Sequence, residues 1–431
     1  MSKFTRRSFV KLTGGAVAVG MTACAGGPSI ASNYKHRVVV IGGGYGGSIA
    51  AKYIRMADKS IKVTLIEQNK HYYSCPLSNW VVAGFRDIEV QKWGYEGLKG
   101  HGVDVVHEKA TKIDAVSKTV TTASGQKFHY DRLIVSPGVG FRDLEGYDEA
   151  ASHAMPHAWK AGAQTVQLAK QLKAMKDGDP FIMVAPPNPF RCPPGPYERA
   201  SLVAHYLRKH KPKSKVLILD AKDKFSKFGL FTGGWKQLYG YDTPNSLIEW
   251  VPGGEGGKVE RVDAKTMTVY TGMEEHSSSC INVIPAQKAS PIAVNSGLTD
   301  KSGWCPVHLD TFESKLHKDV YVIGDSSAAA GLPKSGYAAN SEAKVCASAV
   351  VAALNGKPTP VPSYVNTCYS MLSPDYGISV AAVYKFDQAK PGKVQKIAGG
   401  LSPSNAPDFV RKQEALYNES WYQSIMADTF G

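Results

Sequence analysis

The sequence predicts an α/β protein with two Rossmann-like parallel-sheet domains, the first split by the second, and a smaller C-terminal α+β interface domain. Three observations predict it. A short apolar strand, His36-Arg37-Val38-Val39-Val40-Ile41, runs into a glycine turn and then a helical stretch, Ser48 to Met56. A second such unit begins at the strand Phe181-Ile182-Met183-Val184-Ala185, and its next strand, Lys215 to Leu219, ends in Asp220. Far down the chain another apolar strand, Asp319 to Ile323, ends in Gly324-Asp325.

Taken in order, residues 1–33 read as a twin-arginine signal peptide rather than as fold. Thr5-Arg6-Arg7-Ser8-Phe9-Val10-Lys11 precedes an apolar stretch, Leu12 to Ala25, that is short for a membrane span. Cys24 resembles a lipoprotein acceptor only faintly, because Met21 is a poor residue for that motif. The expected destination is the periplasm, reached by a route that carries folded, cofactor-loaded proteins. Removing Lys3, Arg6, Arg7 and Lys11, and no acids, lowers the formal charge from +14 to +10. A basic surface attracts nucleic acid, anionic lipid or an acidic protein. The chain has no arginine-rich or aromatic-interleaved run, which disfavours nucleic acid. It has no second long apolar segment, which disfavours stable membrane insertion.

The FAD-binding domain is expected over 34–147 and 287–357. In Gly42-Gly43-Gly44-Tyr45-Gly46-Gly47, Gly42 allows the tight turn, Gly44 lets backbone approach a pyrophosphate, and Gly47 lets helix pack on sheet. The following strand, Lys62 to Ile66, ends in Glu67, which can accept from ribose hydroxyls. Gly324-Asp325 resembles the second FAD signature of glutathione-reductase-like flavoproteins, whose aspartate holds the ribityl chain. Tyr130-Asp131-Arg132-Leu133-Ile134-Val135-Ser136-Pro137-Gly138 resembles the connecting segment of that group. Lys334-Ser335-Gly336-Tyr337 then opens a helix whose positive end can face the pyrimidine edge of the flavin.

The second domain, 148–286, is NAD-like but degenerate. Where a glycine loop belongs stands Phe190-Arg191-Cys192-Pro193-Pro194-Gly195-Pro196. Proline removes N–H donors and fixes φ, and a cysteine takes the tip, so nicotinamide binding is exchanged for sulfur chemistry. Glu198 either manages protons there or is an early helix residue favoured by the dipole. Arg191 is expected to be a solvated side chain. Past the proline-rich linker Gly356 to Pro362, residues 358–431 form the interface domain that carries Cys368.

Seven cysteines are present, at 24, 75, 192, 280, 305, 346 and 368. Cys75 follows Glu67 where the chain runs past the dimethylbenzene edge of a flavin; it is either an attachment point or a buried free thiol. Cys192 and Cys368 are candidates for a redox pair, although spacing alone does not say that they meet. Cys280, Cys305 and Cys346 read as structural or free. The histidines show no metal spacing, so no metal is expected.

Tyr72-Tyr73-Ser74-Cys75, the block Pro189 to Ala200, Asn366-Thr367-Cys368-Tyr369-Ser370, and Ser420-Trp421-Tyr422 with Asp428-Thr429-Phe430-Gly431 closely resemble the flavoprotein subunit of flavocytochrome c sulfide dehydrogenase. The similarity runs through essentially the whole mature chain. It implies 8α-linked FAD on Cys75, a redox disulfide between Cys192 and Cys368, sulfide as substrate, and a c-type cytochrome subunit as electron acceptor. No Cys-x-x-Cys-His occurs here, so haem c belongs to the partner. By this resemblance HS⁻ attacks one sulfur of the disulfide, leaving a persulfide and a thiolate, and the electron pair passes to the flavin. Trp421 lies between flavin and haem or is a packed aromatic, the second being the expectation.

Two rivals stand beside this reading. A sulfide:quinone oxidoreductase shares fold and cysteine chemistry but needs an apolar quinone-admitting face, whereas Asp408-Phe409-Val410-Arg411-Lys412-Gln413-Glu414 is polar. A non-catalytic FAD-binding protein would use its cysteines as staples only. An NAD(P)H-dependent disulfide reductase is disfavoured by the missing second glycine loop.

Overall fold

The computed structural model describes residues 34–431; the expected signal peptide, with Arg6, Arg7 and Cys24, lies outside the described residues. β1 (His36–Ile41) leads through α1 (Tyr45–Ala57) to β2 (Ile61–Ile66), and α2 (Ser78–Val82) and β3 (Asp104–Val106) follow. Val38 to Ile41 are at most 5% exposed, as expected of a strand covered on both faces. A three-stranded antiparallel meander over residues 110–129 returns the chain to β4 (Arg132–Val135).

The second sheet is built from β5 (Phe181–Ala185), β6 (Val216–Asp220), β7 (Ile248–Val251) and β8 (Cys280–Val283), with α3 (Gly195–His210) between β5 and β6. All its strands are parallel, in the order β7-β6-β5-β8. The chain then re-enters the first sheet through β9 (Val320–Val322), completing the parallel order β9-β4-β1-β2-β3, and α4 (Gly336–Leu354) follows. Both units therefore place strand C-termini and helix N-termini at one edge, where ligands of doubly wound sheets bind.

The C-terminal part is an antiparallel sheet of β10 (Ser363–Ser373), β11 (Tyr376–Lys385) and β12 (Gln395–Leu401), covered by α5 (Asp408–Phe430). A Cβ on Gly377 would stand 2.6 Å from the Ala415 nitrogen, so the glycine lets α5 lie directly on β11. The end of α5 returns to the first domain, where Phe430 stacks on Tyr72 with centroids 5.2 Å apart. The segment expected to be polar is the start of α5, and that helix carries exposed Phe409, Leu416 and Tyr417. These three fall near one helical face, a pattern a residue-by-residue polarity count misses. No helix of the described residues is long and apolar enough to cross a membrane.

Candidate active site

The first glycine turn is dictated by space. Gly42 has φ +94°, and a Cβ there would lie 2.3 Å from the Ser136 carbonyl oxygen. A Cβ on Gly47 would lie 1.8 Å from the Gly42 oxygen, so α1 can cross the strand end only without one. Gly44 differs: its nearest neighbour is the Tyr72 ring at 3.5 Å, and it faces a cleft of about 690 Å³. Glu67 lines this cleft from the end of β2; its Oε2 accepts from the Gly43 N–H at 2.8 Å and its Oε1 from the Asn69 N–H at 2.8 Å.

Gly324, Asp325 and Gly336 line the same cleft. Asp325 Oδ1 is buried with no hydrogen-bond partner among the described residues, and burial pushes its carboxyl up. An orphaned acceptor there, a glycine floor open to the cleft and an acid at the end of β2 fit the hydroxyls and pyrophosphate of a dinucleotide such as FAD. Ser335 Oγ caps α4 by accepting from the Ala338 N–H at 3.1 Å, with Gly336 and Tyr337 in its first turn.

A smaller cavity of about 90 Å³ shares Tyr72, Cys75, Arg191, Asp325 and Gly336 with the cleft. Cys75, Cys192 and Cys368 all line it, and all three are free thiols. Three distant segments are thus brought to one place. Cys75 Sγ faces the Trp159 carbonyl oxygen at 3.9 Å. Cys192 has φ +54°; its N–H donates to the Lys334 oxygen at 2.8 Å, and its own oxygen accepts from the Gly195 N–H at 2.8 Å. A bulkier residue at 195 is excluded, since its Cβ would lie 2.6 Å from the Trp159 ring and 3.0 Å from Cys192 Sγ. Burial pushes the Cys192 thiol up, and Cys368 and Glu198 add to it. Cys368 stands on β10 opposite Val380; burial raises its thiol too, while Lys227 opposes.

Glu198, in the first turn of α3, is 8% exposed. Its Oε2 accepts from Asn79 Nδ2 at 2.7 Å and its Oε1 from the Met371 N–H at 2.9 Å. Burial raises its carboxyl despite these donors and the nearby Lys227 and Arg199. The network continues through Asn79 Oδ1 to Arg199 Nε at 2.9 Å, and Arg199 donates onward to Asn282 Oδ1 at 2.8 Å and to the Ala158 oxygen at 2.7 Å. Burial lowers the Arg199 guanidinium to about 10. This chain of bonds ties the β5–α3 turn, α2 and β10 into one frame around the thiols.

Gly44, Gly42, Glu67 and Gly324 gather at the cleft, Cys192, Cys368 and Glu198 at the cavity, and Cys75, Asp325 and Gly336 at both; Tyr337 lines the cavity and Gly47 packs behind the turn. Arg191 corrects the expectation of a solvated side chain. It is half-buried and lines both spaces, its guanidinium stands 5.9 Å from the Trp159 ring, and its Nε has no partner among the described residues. Its position beside Cys192 in a loop folded under Trp159 turns it inward. Trp421 packs on Tyr337 at 6.2 Å and lines the cavity. Cys280, Cys305 and Cys346 are buried free thiols away from both spaces. Asn79, Arg199 and Lys227 were not singled out from sequence. Arg199, one residue past Glu198, was the one with a signal: a charge inside a helix that follows a fully apolar strand. No cluster that could hold a metal occurs among the described residues.

Comparison with known proteins gives matches over three segments. Residues 165–285 match the family "Sulfide dehydrogenase (flavocytochrome c) flavoprotein chain, central", residues 360–430 match "Flavocytochrome c sulphide dehydrogenase, flavin-binding", and residues 36–175 match "Pyridine nucleotide-disulphide oxidoreductase". The sulfide dehydrogenase (flavocytochrome c) flavoprotein chain of Chlorobaculum thiosulfatiphilum is 56% identical over 45 residues, 10% of this chain and 94% of that sequence. The mitochondrial sulfide:quinone oxidoreductase of Mus musculus is 22% identical over 299 residues, and the match spans 65% of its length and 67% of this chain. A sulfide-quinone reductase of Aquifex aeolicus is 37% identical over 107 residues, 24% of each chain. In three dimensions, the sulfide:quinone oxidoreductase of Aquifex aeolicus superposes with a TM-score of 0.70 at 19% identity, covering 91% of this chain and 92% of that one.

Proposed function

Because the chain belongs to the flavocytochrome c sulfide dehydrogenase flavoprotein family, we propose that it is an exported enzyme that oxidises sulfide at Cys192 and Cys368 and delivers the electrons through FAD to a c-type cytochrome subunit. One observation carries the reading: three cysteines from separate segments meet in a cavity that shares a wall with the dinucleotide cleft. Export to the periplasm rests on Arg6-Arg7 and the apolar stretch after them.

Gly42, Gly44, Glu67, Gly324, Asp325 and the start of α4 hold the dinucleotide, and Cys75, at the wall common to both spaces, is the attachment point for FAD. When bound, FAD supplies a two-electron acceptor beside the thiols. In the oxidised protein Cys192 and Cys368 are joined; HS⁻ displaces one sulfur, so that a persulfide forms on one cysteine and the other leaves as thiolate. Glu198 exchanges a proton at its carboxyl beside Cys192, and burial, which raises its pKa, favours the protonated form that the exchange draws on. Tyr72, Tyr337 and Trp421 give the cavity an aromatic lining beside the thiols. Asn79 and Arg199 hold Glu198 in place.

A quinone as acceptor is the second reading, favoured by exposed Phe409, Leu416 and Tyr417 on α5. Anaerobic sulfide should bleach the flavin, and stopped-flow reoxidation should then be fast with a c-type cytochrome and slow with a short-chain ubiquinone; the reverse order would transfer the chain to the quinone reading. After acid precipitation, yellow colour retained in the pellet and lost in Cys75→Ala supports attachment at Cys75. Colour released from the unaltered protein contradicts it.

A further inference from the structure

Lys227 is a buried lysine outside the cavity wall. It is 7% exposed and precedes the helix Phe228–Tyr239 with φ +61°, a left-handed conformation uncommon for a lysine. Its Nζ donates to Ser370 Oγ at 2.9 Å, and the Glu198 carboxyl is near enough to be affected by its charge. A buried ammonium whose hydrogen-bond partner is a neutral hydroxyl favours negative charge nearby, and the Glu198 carboxyl and the Cys368 sulfur are the groups placed to carry it.

Ser370 and Cys368 lie two residues apart on β10, so both side chains project from the same face of the strand. The helix after Lys227 is fastened to that strand. A Cβ on Gly234 would lie 2.2 Å from Leu372, and the Tyr239 hydroxyl donates to the Leu372 carbonyl. The ammonium is thus held at Ser370, the next position along β10 on the face that carries Cys368, and it does not line the cavity. The other titratable groups facing Cys368 are Glu198 from α3 and Cys192 from the preceding loop. Tyr369 is its neighbour on β10, and Arg191 lies on the Cys192 side.

We propose that Lys227 is a positioning residue whose ammonium stabilises the thiolate of Cys368, making Cys368 the leaving group and Cys192 the sulfur that incoming sulfide attacks. This rests on the function proposed above. The step balances: HS⁻ forms a bond to Cys192 Sγ, the Cys192–Cys368 bond breaks, and the negative charge moves from HS⁻ to Cys368 Sγ, on the strand face that holds Lys227 through Ser370. The product before electron transfer is a persulfide on Cys192 and a bare thiolate on Cys368. The same ammonium opposes the upward push of burial on Cys368.

The test reads thiol reactivity rather than turnover. Dithiol-reduced, FAD-loaded protein is alkylated with iodoacetamide between pH 6 and 10, and modification of Cys368 and Cys192 is followed separately by peptide mass spectrometry. Lys227→Met should slow Cys368 about tenfold at pH 8 and raise its half-reaction pH by about one unit, with Cys192 within twofold of the parent. Lys227→Arg should restore most of the rate. Cys368 unchanged in Lys227→Met, or both cysteines slowed alike, overturns the proposal. If melting curves show that Lys227→Met is not folded, Ser370→Ala decides: a selective fall of about threefold at Cys368 supports the proposal and no change overturns it. A selective effect in a protein whose flavin does not respond to sulfide would instead remove the sulfide reading and leave the Lys227–Cys368 pairing intact.

Discussion

The two parallel-sheet units use the same place in their topology for opposite purposes. In the first, β1 runs straight into Gly42-Gly43-Gly44, backbone faces an open cleft, and Glu67 at the end of β2 lines it. In the second, a long turn separates β5 from α3, prolines remove N–H donors, and Cys192 takes the left-handed position a glycine would fill. The acid at the end of β6 is also used up. Asp220 is fully buried, accepts from the Tyr197 hydroxyl at 2.6 Å and Trp250 Nε1 at 3.0 Å, and pairs with Lys222. Tyr197 stacks on Phe225 at 3.5 Å in the same region. One unit keeps polar groups waiting for a ligand, and the other has satisfied them internally and spends its turn on a thiol.

The largest effect expected from breaking this contrast is at the thiols. Cys192→Ser and Cys368→Ser should each abolish sulfide-dependent flavin bleaching while leaving bound FAD at parent levels, read by absorbance under anaerobic sulfide. Next comes the glycine turn. Gly47→Ala, whose methyl would sit 1.8 Å from a carbonyl oxygen, should cost about 3 kcal/mol or more and lower FAD content. Gly44→Ala, with 3.5 Å of clearance, should fold and lose FAD affinity alone; denaturant melts with flavin titration separate the two.

A subtler difference lies in pH. Glu342 Oε2 accepts from the Gly324 N–H at 2.7 Å beneath the first unit's cleft, and burial pushes its carboxyl from 4.5 up to about 8. The folded protein then holds a proton that the unfolded chain releases, so this group costs stability as pH rises from about 4.5 through about 8. Glu342→Gln should flatten that decline by up to about 5 kcal/mol in melts across this range, without loss at pH 4. The smallest effect belongs to the filled unit: millimolar NADH should leave both the melting temperature and the flavin spectrum unchanged.

Much of the cleft was legible because its constraints are local. Gly42, Gly44, Gly47 and Glu67 are dictated by one strand–turn–helix–strand unit, whose spacing a sequence displays directly. The odd composition of the second turn was equally visible, and so was the cysteine at its tip. What stayed hidden depends on packing across distant segments. Arg191 reads as a surface cation until Trp159 closes over it, and Asn79, Arg199 and Lys227 acquire meaning only when α2, α3 and β10 meet. The apolar face of α5 was hidden for another reason: Phe409, Leu416 and Tyr417 share a face only at helical spacing.

The most direct measurement is an anaerobic sulfide titration of the FAD-loaded protein, followed at the flavin band beside a parallel titration with NADH. Stoichiometric bleaching by sulfide, none by NADH, and no bleaching by either in Cys368→Ser is the predicted result. A flavin that stays oxidised with sulfide and is reduced by NADH would contradict the sulfur chemistry assigned to Cys192 and Cys368.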